Sequence, residues 1–316
     1  MRLLFAGSPQ AAVPSLRALA ASAHEVVAVL TRPDAPVGRG RRREPTPVRR
    51  VAEELGIEVI TDRPRDDGFA ERLAALDLDC CPVVAYGEIL PAEVLAIPEH
   101  GWVNLHFSLL PAWRGAAPVQ RAIIAGDEVT GASTFVIEQG LDTGPVLGSM
   151  TETIRDRDTS GELLERLAEG GAELLVATMD GLAASRLEAR PQAVDGVSTA
   201  PKLQPADARI DWTRRRSAID RLVRGCTPAP GAWTTFRGHR LRIGPVTCAD
   251  TGADTGVSLR PGEIHPGKRE VLVGTADQPV RLGQVTPVGK KAMDAADWAR
   301  GVRIEPGERL GEDEVS

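Results

Sequence analysis

The chain has 316 residues, 42 % of them hydrophobic and 26 % charged, which suggests two globular domains and excludes a disordered chain. Aromatics make up only 3 %, which argues against binding single-stranded nucleic acid by base stacking, and no stretch approaches the ~18 apolar residues of a membrane span. Net charge is −6 but uneven: residues 206–316 carry 18 Lys and Arg against 15 Asp and Glu, and Arg32–Arg50 holds seven arginines against Asp34 and Glu44.

A basic island in an otherwise acidic half points to a polyanionic partner, with a solvated loop as the plain alternative. The cysteines Cys80, Cys81, Cys226 and Cys248 form no CxxC pair, so disulfide and zinc readings are both weak. MRLLFAGSP lacks the basic and long apolar regions of a signal peptide, and a cytoplasmic location is the default expectation.

In chain order, Arg2–Ala6 is an apolar strand ending in Gly7-Ser8-Pro9, and an amphipathic helix follows to about Ala21. Glu25–Leu30 is a second apolar run suited to a buried parallel strand. Gly7 lacks the partners of a GxGxxG fingerprint, so a dinucleotide cofactor is not expected. Pro33–Pro47, rich in Pro, Gly and Arg without periodicity, reads as a long mobile loop. Helices are expected over Val48–Leu55 and Asp67–Ala75, and strands over Glu58–Ile60 and Cys80–Ala85.

Trp102–His106 is the central strand. Alternation puts Asn104 and His106 on one face about 7 Å apart, where the sheet itself would ask for Val, Ile or Leu. Polar groups paired at the carboxyl end of a parallel strand mark the usual ligand edge of an open α/β sheet. Ser108, Pro111, Arg114, Gly115 and Pro118 then form a turn-rich loop. Pro118–Ala125 is helical, and Gly131–Ile137 and Pro145–Ile154 are strands expected to pair antiparallel. Their connection carries Asp142 between Gly140 and Gly144. Thr159–Leu182 is a long helix, with Thr159 or Ser160 and Glu162 or Glu165 as capping elements.

Composition loosens from Ala183 to Pro205, which reads as a linker. Ile210–Gly225 is expected as a basic helix, and the short runs Ala232–Phe236, Leu241–Gly244, Glu270–Gly274 and Val280–Val285 as a small antiparallel barrel. The fold class is therefore α/β, a Rossmann-like doubly wound sheet, with a C-terminal small β-barrel of OB-like size. The expected boundaries are 1–183, a linker at 184–205, and 206–316.

Asn, His and Asp without a nucleophilic Ser or Cys do not make a hydrolase triad, and Ser108 lacks a GxSxG elbow. His106 and Asp142 alone are too few for a metal site, so none is expected. The trio suits acyl transfer to an external nucleophile. Asn104 and His106 would hold the oxyanion, and a carboxylate at Asp142 would favour the protonated imidazole.

NLHFSLLPAWRGAAP, preceded by VVAYGEILP and followed by GLDTGP, closely resembles the folate-dependent formyltransferases. RPDAPVGRGRRREPTPV, KLQPADARIDW and PVGKKAMDAADWARG resemble in particular the branch whose acceptor is initiator methionyl-tRNA. The resemblance implies that Asn104, His106 and Asp142 transfer a formyl group from 10-formyltetrahydrofolate, a co-substrate used without a metal. It implies a folate pocket made by Tyr86, Gly87, Ile89, Leu90, Ser108, Leu109, Leu110, Pro111, Gln139, Gly140 and Leu141. It also implies tRNA contacts from Arg39, Arg41, Arg42 and Arg43, and more weakly from Arg214, Arg215, Lys290 and Lys291. Partners are then the tRNA and the folate, with no membrane, and the chain is expected to be a monomer. Two rival readings are a sugar-nucleotide N-formyltransferase and a tRNA-binding protein with an inactive folate domain.

Overall fold

The computed structural model of the chain describes residues 1–37, 42–248 and 259–312. By internal contacts the chain divides into two units. The first comprises Met1–Pro118, Val129–Thr153 and Leu164–Pro201, and the second Val119–Glu128, Ile154–Leu163 and Lys202–Ser316.

The first unit opens with β1 (Arg2–Gly7), α1 (Val13–Ala20) and β2 (Glu25–Leu30). Leu3, Leu4, Phe5 and Ala6 are all fully buried. A strand's side chains alternate, so burial of four in a row means that both faces of β1 are covered, as in a doubly wound sheet. A short ribbon, β3 (Ala35–Val37) with β4 (Arg42–Glu44), precedes α2 (Pro47–Glu54) and β5 (Glu58–Ile60). After α3 (Phe69–Ala74) come β6 (Cys81–Val84), α4 (Ala92–Leu95) and β7 (Trp102–His106). Helix α5 (Pro118–Ala125) leads to β8 (Val129–Val136), β9 (Val146–Thr153) and α6 (Ser160–Ala183).

One seven-stranded sheet runs in the order β5-β2-β1-β6-β7-β8-β9. Strands β5, β2, β1, β6 and β7 are mutually parallel; β8 alone is reversed, antiparallel to both β7 and β9, and its pairing with β9 is the one expected of the later strands. One core cluster gathers Leu4, Ala6, Leu30, Ile60, Phe69, Leu73, Val83, Val94 and Trp102. Within it the Trp102 indole donates to the Val94 carbonyl at 2.9 Å, so a large buried ring leaves no orphan donor.

The segment Pro33–Pro47 differs from the loop expected of it, because it contains the ribbon. Its two stems meet at a chain of hydroxyls. Thr31 and Thr46 lie 2.7 Å apart, Thr31 donates to Ser8 at 3.4 Å, and Ser8 donates to the Tyr86 carbonyl at 3.2 Å. Since that carbonyl can only accept, the run of donors points from Thr46 through Thr31 and Ser8 to Tyr86. Thr46 also caps α2 by accepting the Arg49 N–H at 3.1 Å, with Pro47 in the first turn.

The capping box at the start of α6 is Thr159 with Glu162: each side chain takes the other's backbone N–H, at 2.9 and 3.3 Å.

In the second unit α7 (Arg216–Gly225) is shorter than the helix expected from Ile210. Asp211 Oδ1 accepts both the backbone N–H and the hydroxyl of Thr213, a local turn that competes with helix. Asp277 then takes the Arg216 N–H at 2.8 Å and fixes the true start. The strands are β10 (Trp233–Phe236), β11 (His239–Ile243), β12 (Thr247–Cys248), β13 (Ile264–Pro266) and β14 (Val271–Val273). They continue with β15 (Val280–Arg281), β16 (Gln284–Pro287) and β17 (Met293–Asp294), and α8 (Ala295–Val302) follows. They form two antiparallel four-stranded sheets, β10-β11-β16-β17 and β12-β15-β14-β13. The single run expected over Val280–Val285 is thus two strands in different sheets. No helix among the described residues is long and apolar enough to cross a membrane, and no group of His, Cys, Asp and Glu there could hold a metal ion.

Candidate active site

Strand β7 pairs Asn104 with Val83 on β6 and with Phe135 on β8, and His106 with Ser133. Because β6 and β7 are parallel, the loops that follow them leave the sheet side by side. The first carries Tyr86–Leu90 and the second Ser108–Gly115. Strand β8 ends level with Val103, and the connection to β9 brings Asp142 back to the level of His106.

His106 is almost fully buried. Its Nε2 lies 2.9 Å from the Trp113 carbonyl oxygen. A carbonyl only accepts, so Nε2 carries the hydrogen and Nδ1 is the nitrogen left for chemistry. That nitrogen faces Asp142 Oδ2 at 3.8 Å. Trp113 presents its carbonyl from a left-handed backbone, φ 58°, and Asp142 is held at φ 53°. Such conformations in non-glycine residues persist only where the surroundings impose them. The Asp142 carboxylate accepts the Gly115 N–H at 2.7 Å. Gly115 itself has φ 125°, and a Cβ there would stand 2.7 Å from the Ala200 carbonyl oxygen, so only glycine fits.

The Asn104 side chain is half-buried on the face it shares with His106, and no hydrogen bond holds it among the described residues. An amide that the fold leaves unclaimed, beside a buried imidazole, is a ready donor for an oxyanion.

Ser108 is fully buried, and its hydroxyl is committed to the Ala112 carbonyl at 2.6 Å. Ser133 holds the same turn, donating to the Ser108 carbonyl at 2.8 Å and accepting the Leu110 N–H at 3.2 Å. Burial pushes the Cys80 thiol up to about 12 and the Cys226 thiol up to about 11, and raises Cys81 well above the ordinary range. Neither Ser108 nor the thiols of Cys80, Cys81 and Cys226 is therefore poised as a nucleophile.

Of the other expected pocket residues, Tyr86 has a buried ring whose phenol is pushed up by burial, and its carbonyl is held by Ser8. Gly87 adopts φ 87° beside the Arg32 side chain. Leu90, Leu109, Leu110 and Pro111 are half-buried, and Gln139 and Gly140 are exposed. Ile89, after β6, and Leu141, on the β8–β9 connection, are apolar side chains 75 % and 70 % exposed.

Arg43 is exposed on β4, and Arg39, Arg41 and the side chain of Arg42 lie outside the described residues. Arg214, Arg215, Lys290 and Lys291 are exposed in the second unit.

Residues 184–205 carry contacts that their loose composition did not announce. Gln192 donates to the carbonyls of Asp142 and Gly144, both at 2.8 Å, and accepts from Arg114 at 3.0 and 2.7 Å. Ser198 and Ala200 hold the backbone of Trp113, Arg114 and Ala117. Arg114 was visible as part of a turn-rich loop, but nothing local marks Gln192.

Residues 1–179 match the model of the formyl transferase family, and residues 202–303 match that of the formyl transferase C-terminal domain. The chain belongs to the formyl transferase family. Within it the chain stands with the methionyl-tRNA formyltransferases. It is 62 % identical over 314 residues to the one from Thermobifida fusca (strain YX), covering 99 % of this chain and 100 % of that one. Another, from Nocardioides sp. (strain ATCC BAA-499 / JS614), is 62 % identical over 312 residues, 98 % of each chain. Among solved structures, the N-formyltransferase from Helicobacter canadensis in complex with folinic acid and dTDP-3-aminofucose shares the fold. The TM-score is 0.67 at 18 % identity, over 90 % of this chain and 99 % of that one.

Proposed function

We propose that this protein transfers the formyl group of 10-formyltetrahydrofolate to the α-amine of methionyl initiator tRNA, with Asn104, His106 and Asp142 as its catalytic residues. The observation that carries the direct route is that His106 faces Asp142 on the strand face it shares with Asn104, while the neighbouring serine is tied up. The serine beside them is buried and bonded to the Ala112 carbonyl. The amine nitrogen attacks the formyl carbon and forms a C–N bond, and the carbonyl oxygen becomes an oxyanion. The Asn104 amide and the His106 Nδ1–H stabilise it. Asp142 balances the charge on the imidazole and takes part, through water, in moving the amine's proton. Collapse breaks the bond to folate N10, which gains a proton, leaving tetrahydrofolate and the formylated ester.

The loops Tyr86–Leu90 and Gln139–Leu141, with Ser108–Pro111, are assigned to the folate. Their backbone groups suit a pterin edge, and the exposed Ile89 and Leu141 suit its ring system. The basic ribbon and the second-unit cations Arg214, Arg215, Lys290 and Lys291 are assigned to tRNA phosphates. In this reading residues 1–183 are catalytic, 206–316 grip the tRNA, and the protein acts as a cytoplasmic monomer.

The experiment is formyl transfer from 10-formyltetrahydrofolate to methionyl initiator tRNA, run beside a nucleotide-linked amino sugar and with His106→Ala as control. Transfer to tRNA alone, lost in the control, is expected. Transfer to the sugar would favour the sugar-nucleotide reading, and tRNA binding without turnover would favour an inactive folate domain.

A further inference from the structure

The geometry points to Gln192 and Arg114 as positioning residues that set the Asp142 carboxylate against His106, a role that rests on the formyl-transfer reading above. A glutamine amide offers two N–H donors and an oxygen with two lone pairs. In Gln192 all are used. Both donors go to backbone carbonyls of the Asp142 loop, Asp142 O and Gly144 O, and the oxygen receives Nε and Nη2 of Arg114. Carbonyls only accept and a guanidinium only donates, so the amide's orientation is fixed. The side chain is a clasp between two loops, and these are the two loops that meet at the site.

The Arg114 loop delivers both constraints on the reacting pair. The residue before Arg114, Trp113, supplies the carbonyl that fixes His106 Nε2, and the residue after it, Gly115, supplies the N–H that fixes the Asp142 carboxylate. Arg114 is itself pinned through its backbone, donating to Ser198 O at 2.9 Å and accepting from Ala200 N–H at 2.7 Å. On the other side, Arg190 exchanges two backbone hydrogen bonds with Val146, just beyond Gly144. A Cβ on Gly144 would run into the Val136 carbonyl, so that loop also has little room to shift. One segment, from Arg190 to Ala200, therefore fixes both carriers, and the 3.8 Å between Nδ1 and Oδ2 is a distance it maintains.

Residues that act as a unit are strongly non-additive, which separates positioning from general support of the fold. Gln192→Met removes the amide at similar volume. Gln192→Glu keeps an acceptor for Arg114 but loses both donors, and serves if the first variant does not fold. Initial rates of formyl transfer over a range of methionyl initiator tRNA concentrations are measured for each in the wild-type and Asp142→Asn backgrounds. We expect kcat to fall about tenfold or more in the first background and less than about twofold in the second, with KM for tRNA unchanged. Amide hydrogen exchange at Gly115 should quicken in both variants while β1 and β6 keep their protection. Equal losses in the two backgrounds would make Gln192 a structural residue only, and no loss, or an unchanged Gly115 amide, would also overturn the role. If the wild-type protein transfers formyl to neither acceptor, the functional reading fails, and the Gly115 exchange still tests the clasp.

Discussion

Replacing Asp142 by Asn removes one charge and almost nothing else. The new amide can turn its oxygen to the Gly115 N–H, which now sits 2.7 Å from Oδ2. Trading a charged for a neutral acceptor there costs about 1 kcal/mol, and that lowers the melting temperature of a unit this size by about 2–4 °C. The effect on the reaction is larger. At 3.8 Å, a carboxylate is worth about 1 kcal/mol to a doubly protonated His106 ring in water-like surroundings, and about 4 kcal/mol at an effective dielectric constant of ~20. The side chains are only 7 % and 15 % exposed, which places the pair toward the upper figure. The expected fall in kcat is therefore about tenfold to a thousandfold. Rapid-quench transfer of a labelled formyl group from 10-formyltetrahydrofolate to methionyl initiator tRNA measures it, with a thermal melt as the companion control. A variant that keeps kcat within about threefold of wild type would refute the claim that this carboxylate serves the imidazole.

Gly115→Ala should lower both stability and activity, since it imposes a side chain at φ 125° and 2.7 Å from the Ala200 oxygen. A cost on the order of 1–3 kcal/mol is expected, and a melting temperature equal to wild type would contradict it. In the second unit, the N–H of Arg216 holds the Asp277 carboxyl below its ordinary value near 3.8, with smaller help from Gln278 and Thr275. A depressed carboxylate contributes stability that is present above that ordinary value and lost as pH falls through the lowered one. Asp277→Asn should thus flatten the loss of stability below about pH 4. Urea midpoints taken between pH 5 and pH 2 that run parallel for both proteins would show that the capping charge does not matter.

What the sequence discloses follows from how local each signal is. Asn104 and His106 are legible because a two-residue period and the absence of aliphatic side chains can be read within one strand. The antiparallel pairing of β8 with β9 is legible from their short connection, whereas the reversal of β8 against β7 is not, because a helix-bearing segment of the kind that joins parallel strands links them. The start of α7 is not, because its cap comes from Asp277, far along the chain, and Trp212 is drawn into the core by a hydrogen bond to Thr234. The ribbon within Pro33–Pro47 is equally hidden, since β3 and β4 are short and pair with each other without any alternating pattern. Gln192 is the clearest case. It lies in a segment whose Pro-rich, polar composition reads as a tether, yet its partners are 48 to 78 residues earlier.

The meeting of Thr31 and Thr46 makes the basic segment between them a closed excursion from the sheet. The chain leaves and returns through one point, and both threonines are held from the sheet side, by Ser8 and by the first turn of α2. For a loop with its ends already joined, doubling its length costs only about 0.6 kcal/mol. The stretch between Asp34 and Glu44 can therefore lengthen, shorten or change its charges with little penalty to β1, β2 or the Tyr86 carbonyl beneath. The fold treats that stretch as an interchangeable attachment, so the choice of what it touches can drift or be redesigned independently of the catalytic floor.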